Sequence, residues 1–229
     1  LTAIIIGSVI LILAIIVVGA ICFGRLFWIA MAAIGTVSAV VWAVFQQGIL
    51  IRFNRPILEF MPFEQEPPYF RQAPLLNRKN EQAGFSYPIT IPLINNGKTL
   101  ANSCQPVILS VWDNKAGKWV KDINWLPKNL LWAFGGGGER NLIPRKPYQF
   151  ALGMFRTTHP DKFILSDESP TTGQRSAFGP GKYCFEIKVF AENAKSNSQY
   201  FYIEWNGGCT DDFEKAKEKI RISATDHSP

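Results

Sequence analysis

The first fifty residues carry a single charged side chain, Arg25. Residues 2–23 are an uncharged run dominated by Ile, Val, Leu and Ala, and residues 26–45 are a second such run. A hydrocarbon core of roughly 30 Å takes about 20 helical residues, so each run is long enough to span it. Hydrocarbon offers the backbone no partners, which makes helix the expected form of both. Only Gly24 and Arg25 separate the runs, so the expectation is a tight transmembrane helical hairpin over residues 1–50. A cleavable signal peptide is the alternative for the first run. Its long apolar stretch, the want of a basic flank and the second run that follows at once argue against that alternative.

The second run carries Gly35, Ala39 and Ala43 on one helical face, a spacing that lets helix backbones approach closely in lipid. That row is the candidate helix-docking face, toward either the first helix or another subunit. Trp28 and Trp42 sit near opposite ends of the span, where indoles lie at headgroup level. Neither run contains Asp, Glu, His or Lys, the groups that ion pathways and proton relays use. An anchor or docking surface fits better than a transporter. Arg52 and Arg55 follow the second run closely, against Arg25 alone in the turn. The positive-inside bias therefore expects both termini, and the soluble part, in the cytoplasm, with Arg52 and Arg55 at an anionic membrane surface. Cys104, Cys184 and Cys209 are odd in number and unpatterned in spacing, as in a reducing compartment, and the chain has no Asn-x-Ser/Thr sequon.

The other 179 residues carry 23 Lys/Arg and all 18 Asp/Glu. The mean hydropathy of +0.04 thus averages two materials. The composition excludes a wholly soluble protein, a disordered chain, a collagen-like repeat and a disulfide-dense scaffold. Residues 51–84 are rich in Pro, Gln, Asn and Arg and read as an irregular connector. From Phe85 a period of two takes over. Phe85, Tyr87, Ile89, Ile91 and Leu93 line one face of a strand whose interspersed prolines suggest an edge or a bulge. Asn96-Gly97 reads as a turn with positive φ at glycine. Further strands are expected over residues 107–112, around Trp119, over 148–155, around Ile164, over 182–191 and over 199–205. After Gly207-Gly208 the period changes. Asp211 is the expected cap of a short helix, with Glu214 as capping-box partner, and the last few residues read as frayed. Six to eight short strands with almost no helix point to a β-sandwich over residues 85–209, followed by a short helix and tail over 210–229.

The segment Gly181-Lys182-Tyr183-Cys184-Phe185 resembles the late strand of an immunoglobulin-like sandwich. There the tyrosine sits at a corner and bonds back to the backbone. Asn95-Asn96-Gly97 through Asn102 is similar to a turn of prokaryotic immunoglobulin-like repeats. Together these are similar to prokaryotic membrane-anchored proteins with one such domain. The resemblance covers about residues 85–205, and it implies a fold and no catalytic residues, because fold alone does not assign function.

Candidate chemistry is sparse. His159 and His227 lie among Pro, Asp and Ser and read as solvated. Cys184 lacks the downstream His ligands of a blue-copper site. Cys104 and Cys184 are either two buried thiols or, in an oxidising space, a disulfide. Gly135–138 with Glu139 and Arg140 lacks the Lys-Ser/Thr ending of a phosphate loop and reads as a flexible hairpin. The stretch 125–134 is dense in large apolar residues: Trp125, Leu130, Leu131, Trp132 and Phe134. It is either a buried strand or a protruding loop that meets lipid or another subunit. The tryptophans Trp112, Trp119, Trp125, Trp132 and Trp205 are core residues or a sugar platform. No Lys/Arg stripe interleaves with aromatics, so nucleic acid is not an expected partner.

The expectation is a non-enzymatic, membrane-anchored accessory or structural subunit. It works through protein–protein contacts within a larger membrane assembly, alone or as an oligomer, without a cofactor. The alternative is a tethered module for a sugar or cell-envelope polymer.

Overall fold

The computed structural model describes residues 2–46, 48, 54–133, 138–168 and 175–229. The chain divides into two compact units, Leu1–Phe53 and Asn54–Pro229.

In the first unit helix α1 runs Thr2–Phe45 and leaves helical geometry at Gly24, with φ 53° and ψ −131°. Only glycine adopts such a backbone at little cost. Within α1, Trp28–Phe45 has a mean hydropathy of 2.0 and none of it is buried. It is long and apolar enough to cross a membrane, a test that a signal sequence also passes. The Thr36 hydroxyl is satisfied internally, donating to the Ala32 carbonyl at 2.8 Å.

The second unit is built of two sheets that share one hydrophobic core. The first contains β1 (Ile57–Phe60), β2 (Ala73–Leu76), β3 (Gln82–Asn95), β8 (Pro147–Arg156), β9 (His159–Leu165), β10 (Ala177–Phe178) and β12 (Lys195–Ser196), in the order β10-β9-β8-β3-β1-β12 with β2 also on β3. The second contains β4 (Ala101–Lys115), β5 (Lys118–Lys121), β6 (Lys128–Asn129), β7 (Arg140–Leu142), β11 (Gly181–Phe190), β13 (Gln199–Trp205) and β14 (Ile220–Thr225), in the order β14-β13-β11-β4-β5 with β6 and β7 also on β4. Rings from the two sheets meet in the core. Phe155 lies 4.9 Å from Trp205, Phe163 6.0 Å from Phe185, and Phe60 6.1 Å from Phe201. All but Phe60 are almost fully buried.

Several expectations are corrected. The connector 51–84 is not irregular throughout, because β1 and β2 both pair with β3. Strand β3 is central rather than an edge. It pairs with β8 along its length, and the bulge that was the other expectation from its prolines is met by a register shift between Ile89 and Thr90. On its other side β2 takes residues 82–86 and β1 takes 93–95, and Pro88 and Pro92 fall in the gap between. A proline there deprives no neighbouring strand of a donor. Gly97 is not a positive-φ turn glycine. It is needed because a Cβ would lie 2.4 Å from Pro56 Cα and 2.6 Å from the Arg55 carbonyl oxygen.

Helix α2 spans Phe213–Lys219, and its cap is Asp212 rather than Asp211. The Asp212 carboxylate accepts from the amides of Glu214 and Lys215. The segment directly after the helix is a strand, β14, which pairs with β13 along six residues, and the last four residues lie outside it, exposed. Gln65, in the supposed connector, accepts from the Ile222 amide and donates to the Lys217 and Ile220 carbonyls.

Candidate functional site

Alternation puts one face of the second sheet outward. On that face Trp112 of β4 is in register with Lys121 of β5 and with Cys184 of β11, and Cys184 is in register with Tyr202 of β13. One step along, Tyr200 is opposite Glu186, and Asn114 is opposite Trp119. The result is an aromatic face of Trp112, Trp119, Tyr200 and Tyr202, each half-buried. Trp112 lies 5.8 Å from Tyr200 at an interplanar angle of 60°, and Trp119 lies 5.3 Å from Tyr202 at 74°. Such tilted pairs suit the ring quadrupoles. Lys121 Nζ stands 5.3 Å over the Trp112 ring.

Under these rings the Cys184 thiol is fully buried. Burial pushes it up to about 12, and burial likewise pushes the Tyr202 phenol up to about 12. A thiol held protonated is a poor nucleophile and a poor metal ligand. Cys104, Cys184 and Cys209 are all free and buried, so the disulfide alternative falls away. Among the described residues no group of three or more His, Cys, Asp or Glu side chains is placed to hold a metal.

Trp119 is followed in the chain by exposed aliphatic residues, of which Val120, in register with Asp113, is on the opposite face of the sheet. β5 is an edge strand whose Val120 is 46% exposed, and in the loop that follows Ile123 is 89% exposed and Leu126 59%. Large apolar side chains in such numbers at one edge are a mark of contact surfaces. Lys118 and Lys121 bracket β5, a charge pattern that discourages sheet-to-sheet pairing along the edge.

This revises the apolar stretch 125–134. Leu130 and Trp132 are buried in the core and meet no partner. Trp125 and Leu131 are half-buried; Trp125 packs 6.3 Å from Phe178 and donates from Nε1 to the Ile108 carbonyl at 3.3 Å. Phe134 and Arg52 lie outside the described residues. Arg55 is half-buried at the start of the second unit. Gly35, Ala39 and Ala43 are exposed on α1, and nothing lies within 4 Å of the position a Cβ on Gly35 would take. The tryptophans divide as well: Trp205 and Trp132 are core residues, while Trp112 and Trp119 are on the outer face. Sequence reasoning missed Tyr200, Tyr202, Val120 and Ile123, while exposed Leu126 falls within the apolar stretch it singled out. The alternation of β13 does set Tyr200 and Tyr202 beside Glu204, on the face opposite Phe201 and Ile203. That is the one signal that was available.

A second arrangement invites a catalytic reading. Lys128 Nζ lies 2.7 Å from Ser176 Oγ and 2.9 Å from Asp167 Oδ2, and Ser176 Oγ lies 2.9 Å from the same carboxylate oxygen. A lysine that activates serine needs a free lone pair. Here the ammonium donates to both oxygens, and the serine proton is directed at Asp167, so the three groups close a structural triangle.

The chain matches no protein-family profile, no curated protein sequence and no solved structure.

Proposed function

We propose that this chain is a membrane-tethered, non-enzymatic accessory subunit whose β domain docks another protein. The observation that carries the reading is the aromatic outer face of Trp112, Trp119, Tyr200 and Tyr202, with exposed Ile123 and Leu126 in the loop that follows β5. Aromatic anchors amid a few charges are the composition of binding hot spots. A sugar platform needs ring faces open and level with one another. The 60° and 74° tilts and the lysine over Trp112 favour protein over sugar on this face.

In this reading α1 is the tether, a hairpin of two spans broken at Gly24, with Gly35, Ala39 and Ala43 turned toward a neighbouring helix. The β domain is an immunoglobulin-like sandwich of the kind found in prokaryotic membrane-anchored proteins. The corner bond from the Tyr183 hydroxyl to the Gly179 carbonyl, 3.0 Å, supports that assignment. Placement of the domain in the cytoplasm is supported by the three free thiols and by Arg52 and Arg55 after the helix.

The test is a photo-crosslinking residue in place of Trp119 in the full chain in its native membrane. A discrete adduct with one other protein, lost in Ile123→Ser/Leu126→Ser while the melting curve is unchanged, is the expected result. Adducts with lipid alone, or an adduct that survives the double substitution, would overturn the reading.

A further inference from the structure

A cleft of about 500 Å³ opens at the end of β8 in the first sheet, lined among others by Tyr69, Arg140, Asn141, Lys146, Tyr148 and Gln149. Its size falls within the roughly 300–1,000 Å³ of small-molecule sites. It presents two cations and no carboxylate. Among the described residues neither Arg140 nor Lys146 has an ion-pair partner, whereas Lys128, Arg175, Lys182, Lys215 and Lys217 each have one. Both cations are instead set over rings. The Arg140 guanidinium is 6.0 Å from the Trp132 ring centroid, and Lys146 Nζ is 5.8 Å from that of Tyr148. Trp132 and Tyr148 are themselves packed edge to face, 6.5 Å apart. The rings restrain the charged stems and leave their donors for something else.

The neutral polar groups of the cleft are also incompletely used. The Tyr148 hydroxyl accepts from the Ile143 amide at 3.1 Å, which leaves its proton to donate. Asn141 Oδ1 accepts from the Ser103 amide at 3.0 Å, which leaves its Nδ2 protons. Among the described residues Gln149 Oε1 is buried without a hydrogen-bond partner. Tyr69, tilted 35° against Phe63 at 6.2 Å, contributes a half-buried ring to the same wall.

We infer that this cleft binds an anionic saccharide unit, a hexose-sized ring carrying one carboxylate or phosphate. Arg140 and Lys146 hold the acid group through charge-assisted hydrogen bonds. Asn141 and the Tyr148 hydroxyl donate to ring oxygens. Tyr69 offers apolar ring surface to the sugar's C–H face. The inference is independent of the docking face, which belongs to the other sheet.

The full chain in a polyoxyethylene detergent, which has no sugar headgroup, is titrated calorimetrically with glucuronate, glucose 6-phosphate, glucose and inorganic phosphate. Saturable binding of glucuronate and glucose 6-phosphate is expected, with glucose and phosphate each at least about tenfold weaker, because a charged hydrogen bond and the neutral contacts each contribute on that scale. Arg140→Gln and Lys146→Gln each weaken glucuronate about tenfold and flatten its salt dependence, while the aromatic-face variant Trp119→Ser binds as the parent does. Both cations are at the surface of the cleft, so either substitution serves if the other perturbs folding. Phosphate bound as tightly as glucose 6-phosphate would reduce the cleft to a simple anion site and overturn the saccharide assignment. Absence of saturation by both charged sugars to ~10 mM, a Kd beyond which about −2.7 kcal/mol or less is left, would overturn the site itself.

Discussion

The Lys128–Asp167 pair gives the sharpest quantitative test of the packing. Both side chains are nearly inaccessible, 2% and 8% exposed, at an N–O distance of 2.9 Å. Exposed ion pairs contribute about 0–1 kcal/mol. A buried pair behaves differently: losing one partner strands a charge out of water and costs about 3–5 kcal/mol. Lys128→Met leaves Asp167 with the Ser176 hydroxyl as its remaining donor, so the lower end, about 3 kcal/mol, is expected. Asp167→Leu leaves the ammonium with Ser176 Oγ and the face of the Trp125 ring, 5.4 Å away, and costs about as much. The double variant removes both charges and replaces them with apolar volume, and is expected within about 1 kcal/mol of the parent. The coupling energy is then about 5–7 kcal/mol, well above the 0.5–3 kcal/mol usual for neighbours. The second unit is of a size for which 1 kcal/mol moves Tm by about 2–4 °C, so each single change lowers Tm by roughly 6–12 °C and the double restores it. Urea unfolding of the full chain in detergent, followed by tryptophan fluorescence, reads all three. Single substitutions costing under about 1 kcal/mol would mean that the pair is solvated like a surface pair. A double variant no better than the worse single would mean that the site tolerates no apolar replacement. Either result refutes the reasoning.

Tyr183→Phe removes the hydroxyl that donates to Gly179, a loss of about 1 kcal/mol and a Tm lower by about 2–4 °C in the same assay; an unchanged curve would detach Tyr183 from any corner role. Gly97→Ala drives a Cβ into the backbone of Arg55 and Pro56 and is expected to cost about 1–3 kcal/mol, which urea midpoints will measure; an unchanged midpoint would mean that this backbone yields freely. Burial raises Cys104 and Cys184 from 9.0 to about 12, Cys209 to about 11, and Tyr87 from 10.0 to about 12. These groups are neutral in both states below pH 9 and ionise first in the unfolded chain above it, so their contribution is intact below pH 9 and is lost as pH rises toward 11–12. A melting temperature level from pH 7 to 8.5 that then falls steadily is expected; a curve flat to pH 11 contradicts the burial of these groups.

What was legible in the sequence depended on how far each residue's environment is set by its own neighbours in the chain. β13 has the bounds that its alternation predicts, Gln199–Trp205, because Phe201, Ile203 and Trp205 face the core and Tyr200, Tyr202 and Glu204 do not. β11 is equally plain for Tyr183, Phe185, Ile187 and Val189. β1 and β2 are four residues each, too short to establish a period, and their stability comes from β3, which no local pattern reveals. β14 illustrates competition between periods. Phe213, Ala216 and Ile220 fit one helical face, yet Ile220, Ile222 and Ala224 also alternate, and pairing with β13 ends the helix at Lys219.

The candidate site was harder to read for a related reason. Hydrophobic density in 125–134 reports that large apolar groups are close together, not which of them the core accepts. Lys128, in the middle of that stretch, is itself buried because Asp167 and Ser176 come to it from 39 and 48 residues away. Once Lys128, Leu130 and Trp132 turn inward, the apolar residues left to solvent are the earlier ones, Val120, Ile123 and Leu126. They follow Trp119, which β5 delivers to the edge of the aromatic face. The outer face therefore depends on a chain of pairings, β5 on β4, β4 on β11 and β11 on β13, each satisfied by buried residues of the opposite face. Val111, Phe185 and Phe201 hold those strands in register. Any substitution that slips the register by one residue would exchange Trp112, Cys184 and Tyr202 with them. A core so dependent on register keeps the outer aromatics in fixed relative positions without their contributing much to stability. Fixed anchors of that kind lose little freedom on binding, which is the physical ground for expecting affinity from this face rather than from the loops.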